Sequence, residues 1–183
     1  MNWGILDRML PENVNAFFWV MDSMKIAVMS DTHGNVKLAI HALKQLGRVD
    51  QLIHLGDHYQ DALEIGRKTR LPVDAVAGNT DVVSHPTALR EKIIELNETK
   101  IFITHGDKYK VKQGLDHLFE KAITEDVHVV LFGHTHFPMK QRIGKILFLN
   151  PGCIISNKGN NSCAFLTWVK GKMEGEIILL SSR

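Results

Sequence analysis

Short apolar runs alternate with amphipathic stretches through the first half of the chain. The runs KIAVMS (25–30), QLIHL (51–55) and VDAVA (73–77) are typical of buried strands. Between them, residues 36–47 and 59–68 carry apolar side chains at helical spacing, which predicts two helices. This alternation of strand and helix predicts a mostly parallel sheet with crossover helices.

The second half of the chain is richer in strands. We predict a helix over 111–125 and three further strands, at 92–97, 100–105 and 127–132. From residue 140 onward the pattern is one of strands and tight turns, with a hairpin turn between Gly171 and Gly175. These late strands either complete the first sheet or form a second sheet packed on it.

Length and composition bound the class of protein. The chain has 183 residues, enough for one domain with a sizeable core, and 44% of them are hydrophobic. Its formal net charge of +2 is too small to indicate a nucleic-acid or membrane partner. Cys153 and Cys163 form no CxxC metal motif and fit a reducing compartment, and no run is long enough to span a bilayer.

Residues 1–23 are predicted to be separate from a single domain over 24–183. Met24 begins the first strand pattern, whereas the preceding segment has an apolar run at 16–21 and suits a helical extension, unless it is only a leader from an alternative start. It lacks the features of a signal peptide, so we predict a cytoplasmic protein. An apolar arm must pack on its own domain or on a neighbouring subunit. We favour a subunit contact, and therefore a homo-oligomer, either a dimer or a tetramer.

Polar side chains follow five predicted strands at the points where the strands end. The first strand runs into Asp31-Thr32-His33, the second into Gly56-Asp57, and the third into Gly78-Asn79. Two later strands run into His105 and into Gly133-His134-Thr135-His136. Sites in open α/β sheets form just outside the carboxyl ends of the strands. We therefore expect seven side chains to converge there: Asp31, His33, Asp57, Asn79, His105, His134 and His136.

The chemistry of this set favours a metal centre. A single Asp or His at a strand end is usually a cap or a turn residue, but five such ends in succession favour ligation. The set mixes nitrogen and oxygen donors without a thiolate, which suits Mn²⁺, Fe, Zn²⁺, Co²⁺ or Ni²⁺. Seven ligands are too many for one catalytic ion with an open position. They suit two divalent ions that share one carboxylate, an arrangement that serves phosphoryl chemistry.

Over residues 24 to about 170 the chain resembles the calcineurin-like metallophosphoesterase family. The motifs that carry the resemblance occur in the family's order: Asp31-x-His33, Gly56-Asp57, Gly78-Asn79, His105 and Gly133-His134-x-His136. The small size and the early DTHGN resemble the YfcE-type phosphodiesterases of bacteria and archaea. The resemblance implies an α/β fold in which a two-sheet β-sandwich is flanked by helices, as four αββα layers.

The resemblance also implies cofactors and roles. It implies two divalent ions, with Mn²⁺ expected first and Ni, Fe, Co or Zn as alternatives. One ion would be bound by Asp31, His33 and His136, the other by Asn79, His105 and His134, with Asp57 bridging both. A hydroxide held between the ions would attack phosphorus in line with the leaving oxygen. The substrate would be a small phosphodiester.

One departure from the family lies at Thr80, where many relatives carry a histidine that protonates the leaving group or holds phosphate. Threonine can donate a hydrogen bond but is no general acid near neutral pH. We therefore expect a preference for diesters and other activated phosphate esters. We predict catalytic roles for Asp57 and Thr80 and name His58 as a candidate proton donor, its alternative being an exposed loop histidine.

Further departures concern residues near the motifs. Asp61 does not match the usual spacing after Asp57, and we interpret it as a helix-start acid. Asp107 follows His105 where relatives often have a second histidine, and it could orient His105. We interpret His54 and the turn at Asn150-Pro151-Gly152 as structural.

Other functions are consistent with parts of the pattern. A non-catalytic scaffold on the same fold, such as the retromer subunit that resembles this family, would not need an intact ligand set, and all seven positions are intact here. A phosphomonoesterase would use the same metals. A mononuclear iron oxygenase with two histidines and one carboxylate would leave four matched ligands unexplained.

Overall fold

A computed structural model describes residues 24–155, 161–169 and 171–180. Its strands, in chain order, are β1 (Ile26–Met29), β2 (Gln51–His54), β3 (Val73–Ala75), β4 (Glu91–Leu96), β5 (Thr99–Thr104), β6 (Val129–Leu131), β7 (Met139–Ile143), β8 (Ile146–Asn150), β9 (Ser162–Val169) and β10 (Lys172–Leu179). Its α-helices are α1 (Val36–Leu46), α2 (Tyr59–Thr69) and α3 (Asp116–Thr124).

The strands form two mixed sheets. The first has the order β10-β9-β1-β2-β3, in which β1, β2 and β3 run parallel and β9 and β10 are antiparallel neighbours. The second has the order β4-β5-β6-β8-β7, with β5, β6 and β8 parallel. Parallel strands deliver their carboxyl ends to one edge of a sheet, so each sheet presents several strand ends together.

Alternation along the strands creates three layers of apolar packing. Ile26 and Val28 of β1 face the second sheet in a cluster that also holds Ile103 of β5 and Leu131 of β6. The other face of β1 packs under α1 and α2, and the outer face of the second sheet packs under α3. Both sheets are therefore covered on both faces, which confirms the predicted α/β sandwich flanked by helices.

Several element bounds differ from the sequence prediction. The helix predicted over 111–125 begins at Asp116, because Val111 is instead buried against Gly106 in the turns after β5. The hairpin predicted at 171–175 turns earlier, between Val169 and Lys172. Gly175 lies within β10 opposite Leu166, where a Cβ would meet Leu149 at 2.8 Å.

The predicted arm, residues 1–23, lies outside the described residues, so its helix and its subunit contact stay predictions. Of the helices that the structure describes, none combines the length and the apolar character needed to cross a bilayer.

Candidate metal centre

The seven predicted side chains meet where the strand ends of the two sheets face each other. The first sheet supplies four of them, and the second sheet supplies His105, His134 and His136. A hydrogen bond joins the two sheets here, because the backbone N–H of His134 donates to Oδ2 of the Asp31 side chain over 3.1 Å. Within the first sheet, the N–H of Asp31 donates to the carbonyl oxygen of Gly56 over 2.9 Å.

One group of four residues, called group A below, brings its donor atoms close together. Ligand-type atoms of Asp31, His33, Asp57 and His136 all lie within 4.8 Å of one another. Nε2 of His136 lies 3.0 Å from Oδ1 of Asp31. Nε2 of His33 is buried, lies 3.9 Å from Oδ2 of Asp57, and has no hydrogen-bond partner among the described residues.

In the other three residues, called group B below, Asn79 and His134 both contact His105. Nε2 of the fully buried His105 lies 3.2 Å from Oδ1 of Asn79 and 3.2 Å from Nδ1 of His134. The opposite nitrogen of the same ring, Nδ1, lies 2.8 Å from the carbonyl oxygen of Leu55. Since a carbonyl only accepts, Nδ1 carries the proton, and Nε2 presents its lone pair to Asn79 and His134.

Asp57 lies between the two groups. Its Oδ2 faces His33 of group A, whereas its Oδ1 lies 3.4 Å from Nε2 of His105 in group B. Oδ1 also accepts the hydroxyl of Thr80 over 2.9 Å and the N–H of Thr80 over 3.1 Å. One carboxylate is thus shared by both groups and held on one side by Thr80.

These donors fit divalent cations. Oxygens of Asn79 and Asp57 approach the lone pair of His105 Nε2, and acceptors this close to one another need a cation between them. Histidine ligands characteristically donate their second ring N–H to a carbonyl or carboxylate, as His105 does to Leu55. The donor set, imidazole with carboxylate and amide oxygen, suits first-row divalent ions.

Backbone conformation aims the side chains into the site. Five of the seven residues have positive φ although none is glycine: Asp31 (54°), His33 (43°), Asp57 (51°), His134 (67°) and His136 (62°). Each such residue costs of order 1–3 kcal/mol, and such strain clusters at functional sites. Neighbouring glycines permit the close approach, because a Cβ on Gly78 would overlap the carboxylate of Asp57 and one on Gly133 the hydroxyl of Ser30.

A buried hydrogen-bonded chain of three side chains lies beneath group A. Nδ1 of His54 accepts the N–H of Gly56, so the proton of this ring is on Nε2, which faces Oγ1 of Thr32 at 3.1 Å. Thr32 in turn donates to Oδ2 of Asp61 over 2.7 Å. Burial lowers the pKa of His54 to about 4. The chain ties the loop of Asp31 and His33 to the residue before Asp57.

Three supporting residues were not predicted to take part. Asp61 does lie in the first turn of α2, as predicted, but it also accepts the Thr32 hydroxyl and the N–H of Gly34. The carboxylate of Asp81 accepts the N–H groups of three residues beside the site: His58, Tyr59 and Gly78. Asn150 is completely buried and donates to the carbonyl of Gly133 and to Oγ1 of Thr135.

The signals for these three residues in the sequence are weak. Asp81 follows Asn79-Thr80 and Asn150 opens a Pro-Gly turn, and both patterns are common in ordinary turns. Except for Gly78, their partners named above lie 15 to 29 residues away in the chain, so only the fold brings them together.

The remaining predictions have mixed outcomes. Asp107 is paired with Arg90 over 2.5 Å, and the carbonyl of Leu55, rather than Asp107, holds Nδ1 of His105. The side chain of His58 is 46% exposed, at the start of α2, and its ring centroid lies 5.1 Å from that of His33. His58 therefore borders group A without being buried in it.

Electrostatics within the site follow from these contacts. Burial alone would raise the pKa of Asp31, but the contact with His136, the nearby His105 and the hydroxyl of Ser30 together lower it. The contact with Asp31 raises the pKa of His136. Burial, with the nearby His105 and Lys112, lowers the pKa of His134. The lowered pKa of Asp31 favours an anionic carboxylate, and the lowered pKa of His134 favours a neutral imidazole with a free lone pair.

The sequence of this chain is similar to the sequences of known proteins. A family model described as the calcineurin-like phosphoesterase superfamily domain matches residues 24–171. The chain is 34% identical to the probable metallophosphoesterase MJ0623 of Methanocaldococcus jannaschii, over 74% of this chain and 71% of that protein. It is 26% identical to the phosphodiesterase YfcE of Escherichia coli, over 78% of this chain and 85% of that protein.

Solved structures match as well. A predicted phosphoesterase from Streptococcus pneumoniae superposes with a TM-score of 0.71 at 28% identity, covering 85% of this chain and 89% of that one. The Vps29 protein of Chaetomium thermophilum superposes with a TM-score of 0.65 at 17% identity, covering 88% of this chain and 100% of that one. The latter likeness shows the fold alone.

Proposed function

Since this chain belongs to the calcineurin-like phosphoesterase superfamily, we propose that it is a metal-dependent phosphodiesterase that uses two divalent ions, Mn²⁺ first among them. The observation that carries the proposal is the position of Asp57, whose two oxygens face groups A and B separately. Group A would hold one ion and group B the other. The ions would supply Lewis acidity and lower the pKa of a coordinated water.

The protein's own residues prepare the site for this chemistry. The carbonyl of Leu55 keeps the proton of His105 on Nδ1, so that Nε2 is free to bind. Thr80 donates a hydrogen bond from its hydroxyl to Asp57, and it therefore orients the shared carboxylate instead of protonating a leaving group. We propose that the imidazole of His58, which is half-exposed at the edge of group A, protonates the leaving group.

A diester is the proposed substrate class. A phosphodiester carries one negative charge. The leaving group of an activated ester departs without strong protonation, which suits a site whose Thr80 is no general acid. The intact set of seven donors favours an enzyme over a non-catalytic scaffold. We also propose a cytoplasmic location, because Cys153 and Cys163 are both free and buried. Association into dimers or tetramers stays a prediction from residues 1–23.

The test is hydrolysis of bis-p-nitrophenyl phosphate beside p-nitrophenyl phosphate, by protein stripped with a chelator and then supplied with Mn²⁺. Metal-restored turnover that favours the diester is expected. Turnover of the monoester alone would keep the metal centre and refute the diester preference. No turnover with Mn²⁺, Ni²⁺, Co²⁺ or Zn²⁺ would favour a scaffold.

A further inference from the structure

Phe137 is an exposed aromatic residue directly after the group A residue His136. Its side chain is 77% exposed, more than any other described phenylalanine, tyrosine or tryptophan. Single exposed apolar residues are common and need no explanation by themselves. Phe137 differs because it directly follows His136, so its Cα lies about 3.8 Å from the Cα of a group A residue.

The backbone that carries this ring is fixed. The N–H of Phe137 donates to Oγ1 of Thr135 over 3.2 Å, and the same hydroxyl donates to the carbonyl oxygen of Phe137. The buried Asn150 donates to that hydroxyl over 3.0 Å. On the other side, Pro138 restricts Phe137 to extended conformations and packs close to Gly152. An exposed ring on a fixed backbone can bind a partner with little loss of entropy.

Three histidine rings lie next to one another in and beside group A. The ring centroids of His136 and His33 are 5.4 Å apart, and those of His33 and His58 are 5.1 Å apart. All three histidines are polar and two have a predicted role with metal. Phe137 directly follows His136 in the chain and adds an exposed apolar ring with no polar group of its own.

We propose that Phe137 forms a subsite for a planar aromatic substituent of the phosphate ester, either an aryl group or a nucleobase. Both present a π-face, and stacking on an aromatic side chain tolerates either. The subsite would favour aromatic esters over alkyl esters without contacting the reacting phosphorus. This inference rests on the proposed phosphoesterase function for its choice of ligand.

The test measures binding separately from turnover. Isothermal titration calorimetry on Mn²⁺-loaded protein would give the Kd for methyl phosphate, phenyl phosphate and thymidine 5′-monophosphate. In Phe137→Ala the aromatic esters should bind about tenfold more weakly, while methyl phosphate changes by less than about twofold. Phe137→Trp should restore the aromatic preference. Ile123→Ala is the matched control, because Ile123 is 59% exposed in the last turn of α3, at the far end of β6 from the site.

The outcomes separate this inference from the proposed function. Equal weakening of all three ligands in Phe137→Ala, or no weakening of any, would overturn the subsite. Loss for phenyl phosphate alone would support it and identify an aryl group, and loss for the nucleotide alone would support it and identify a base. An aromatic preference without hydrolysis of bis-p-nitrophenyl phosphate would support the subsite and refute the proposed phosphodiesterase activity.

Discussion

Groups A and B differ in how their donors are arranged. In group A, Nε2 of His33 has no hydrogen-bond partner among the described residues and lies 3.9 Å from Oδ2 of Asp57. In group B, Asn79 and His134 both contact the fully buried His105. Group A is borne by strained loops supported from beneath by Thr32 and His54, whereas group B depends on one ring held by a carbonyl. The two halves of one site are thus preorganised by different means.

The largest effect is expected where the two groups meet. Asp57→Asn removes the charge that both groups share, so hydrolysis of the diester should fall by at least about 10³-fold. Mn²⁺ binding, measured by calorimetry, should weaken at both sites. Asp126→Asn is a matched control, because the side chain of Asp126 is 93% exposed on a distant turn. Near-normal turnover of the metal-loaded Asp57→Asn protein would refute the shared role.

Removing one histidine from each group should distinguish how the two groups are supported. We expect His33→Ala and His105→Ala each to lose one bound Mn²⁺ and about 10²-fold in turnover. Only His105→Ala should also unfold more easily without metal, by about 2 kcal/mol, because it leaves a cavity and an unpaired carbonyl at Leu55.

Metal content by mass spectrometry and urea unfolding of chelated protein would measure these two effects. Equal unfolding free energies for the two variants would contradict the different support of groups A and B.

The support beneath group A should respond to pH. The folded pKa of His54, about 4, lies below the ordinary value of 6.5, so its contribution to stability is present above pH 6.5 and is lost as pH falls toward 4. Between about pH 7.5 and pH 5 the metal-free wild type should lose about 2 kcal/mol more than His54→Gln does. Urea unfolding at the two pH values gives the difference.

His41→Gln serves as the control for His54, since His41 lies on α1 with Gln45 as its partner. This control should keep the pH dependence of the wild type. An unchanged dependence in His54→Gln would show that His54 is not the titrating group.

The smallest effect is expected at Thr80. Thr80→Val keeps the shape and the N–H but removes the hydroxyl that donates to Asp57, so kcat should fall about tenfold. Thr80→Ser should recover most of the loss. If Thr80 instead protonated the leaving group, the loss would grow with poorer leaving groups, which a series of substituted phenyl esters would reveal.

The sequence identified the candidate ligands more readily than the residues that support them. All seven candidate ligands could be named from the sequence because each lies within a few residues of the end of an apolar strand, and the family's motifs are local. Asp61, Asp81 and Asn150 were missed or given a smaller role, since their value lies in contacts with residues 15 or more positions away. The metal roles themselves stay predictions from the donor chemistry.

Element bounds failed for a related reason. Val111 fits a helical pattern, yet burying it against Gly106 and Phe132 fixes the chain in turns until Asp116. Likewise, the sequence alone predicts Gly175 in a turn, but the packing of Leu149 and Leu166 needs a residue without a side chain inside β10. Tertiary packing decides both positions, and local propensity does not report it.

Each of the two groups takes donors from both sheets: His136 joins three residues of the first sheet in group A, and Asn79 joins two of the second in group B. Ions bound there would fasten one half of the sandwich to the other. A cell short of the metal would then hold a protein that opens more often and is degraded sooner. Metal supply would set the lifetime of this protein as well as its rate of catalysis.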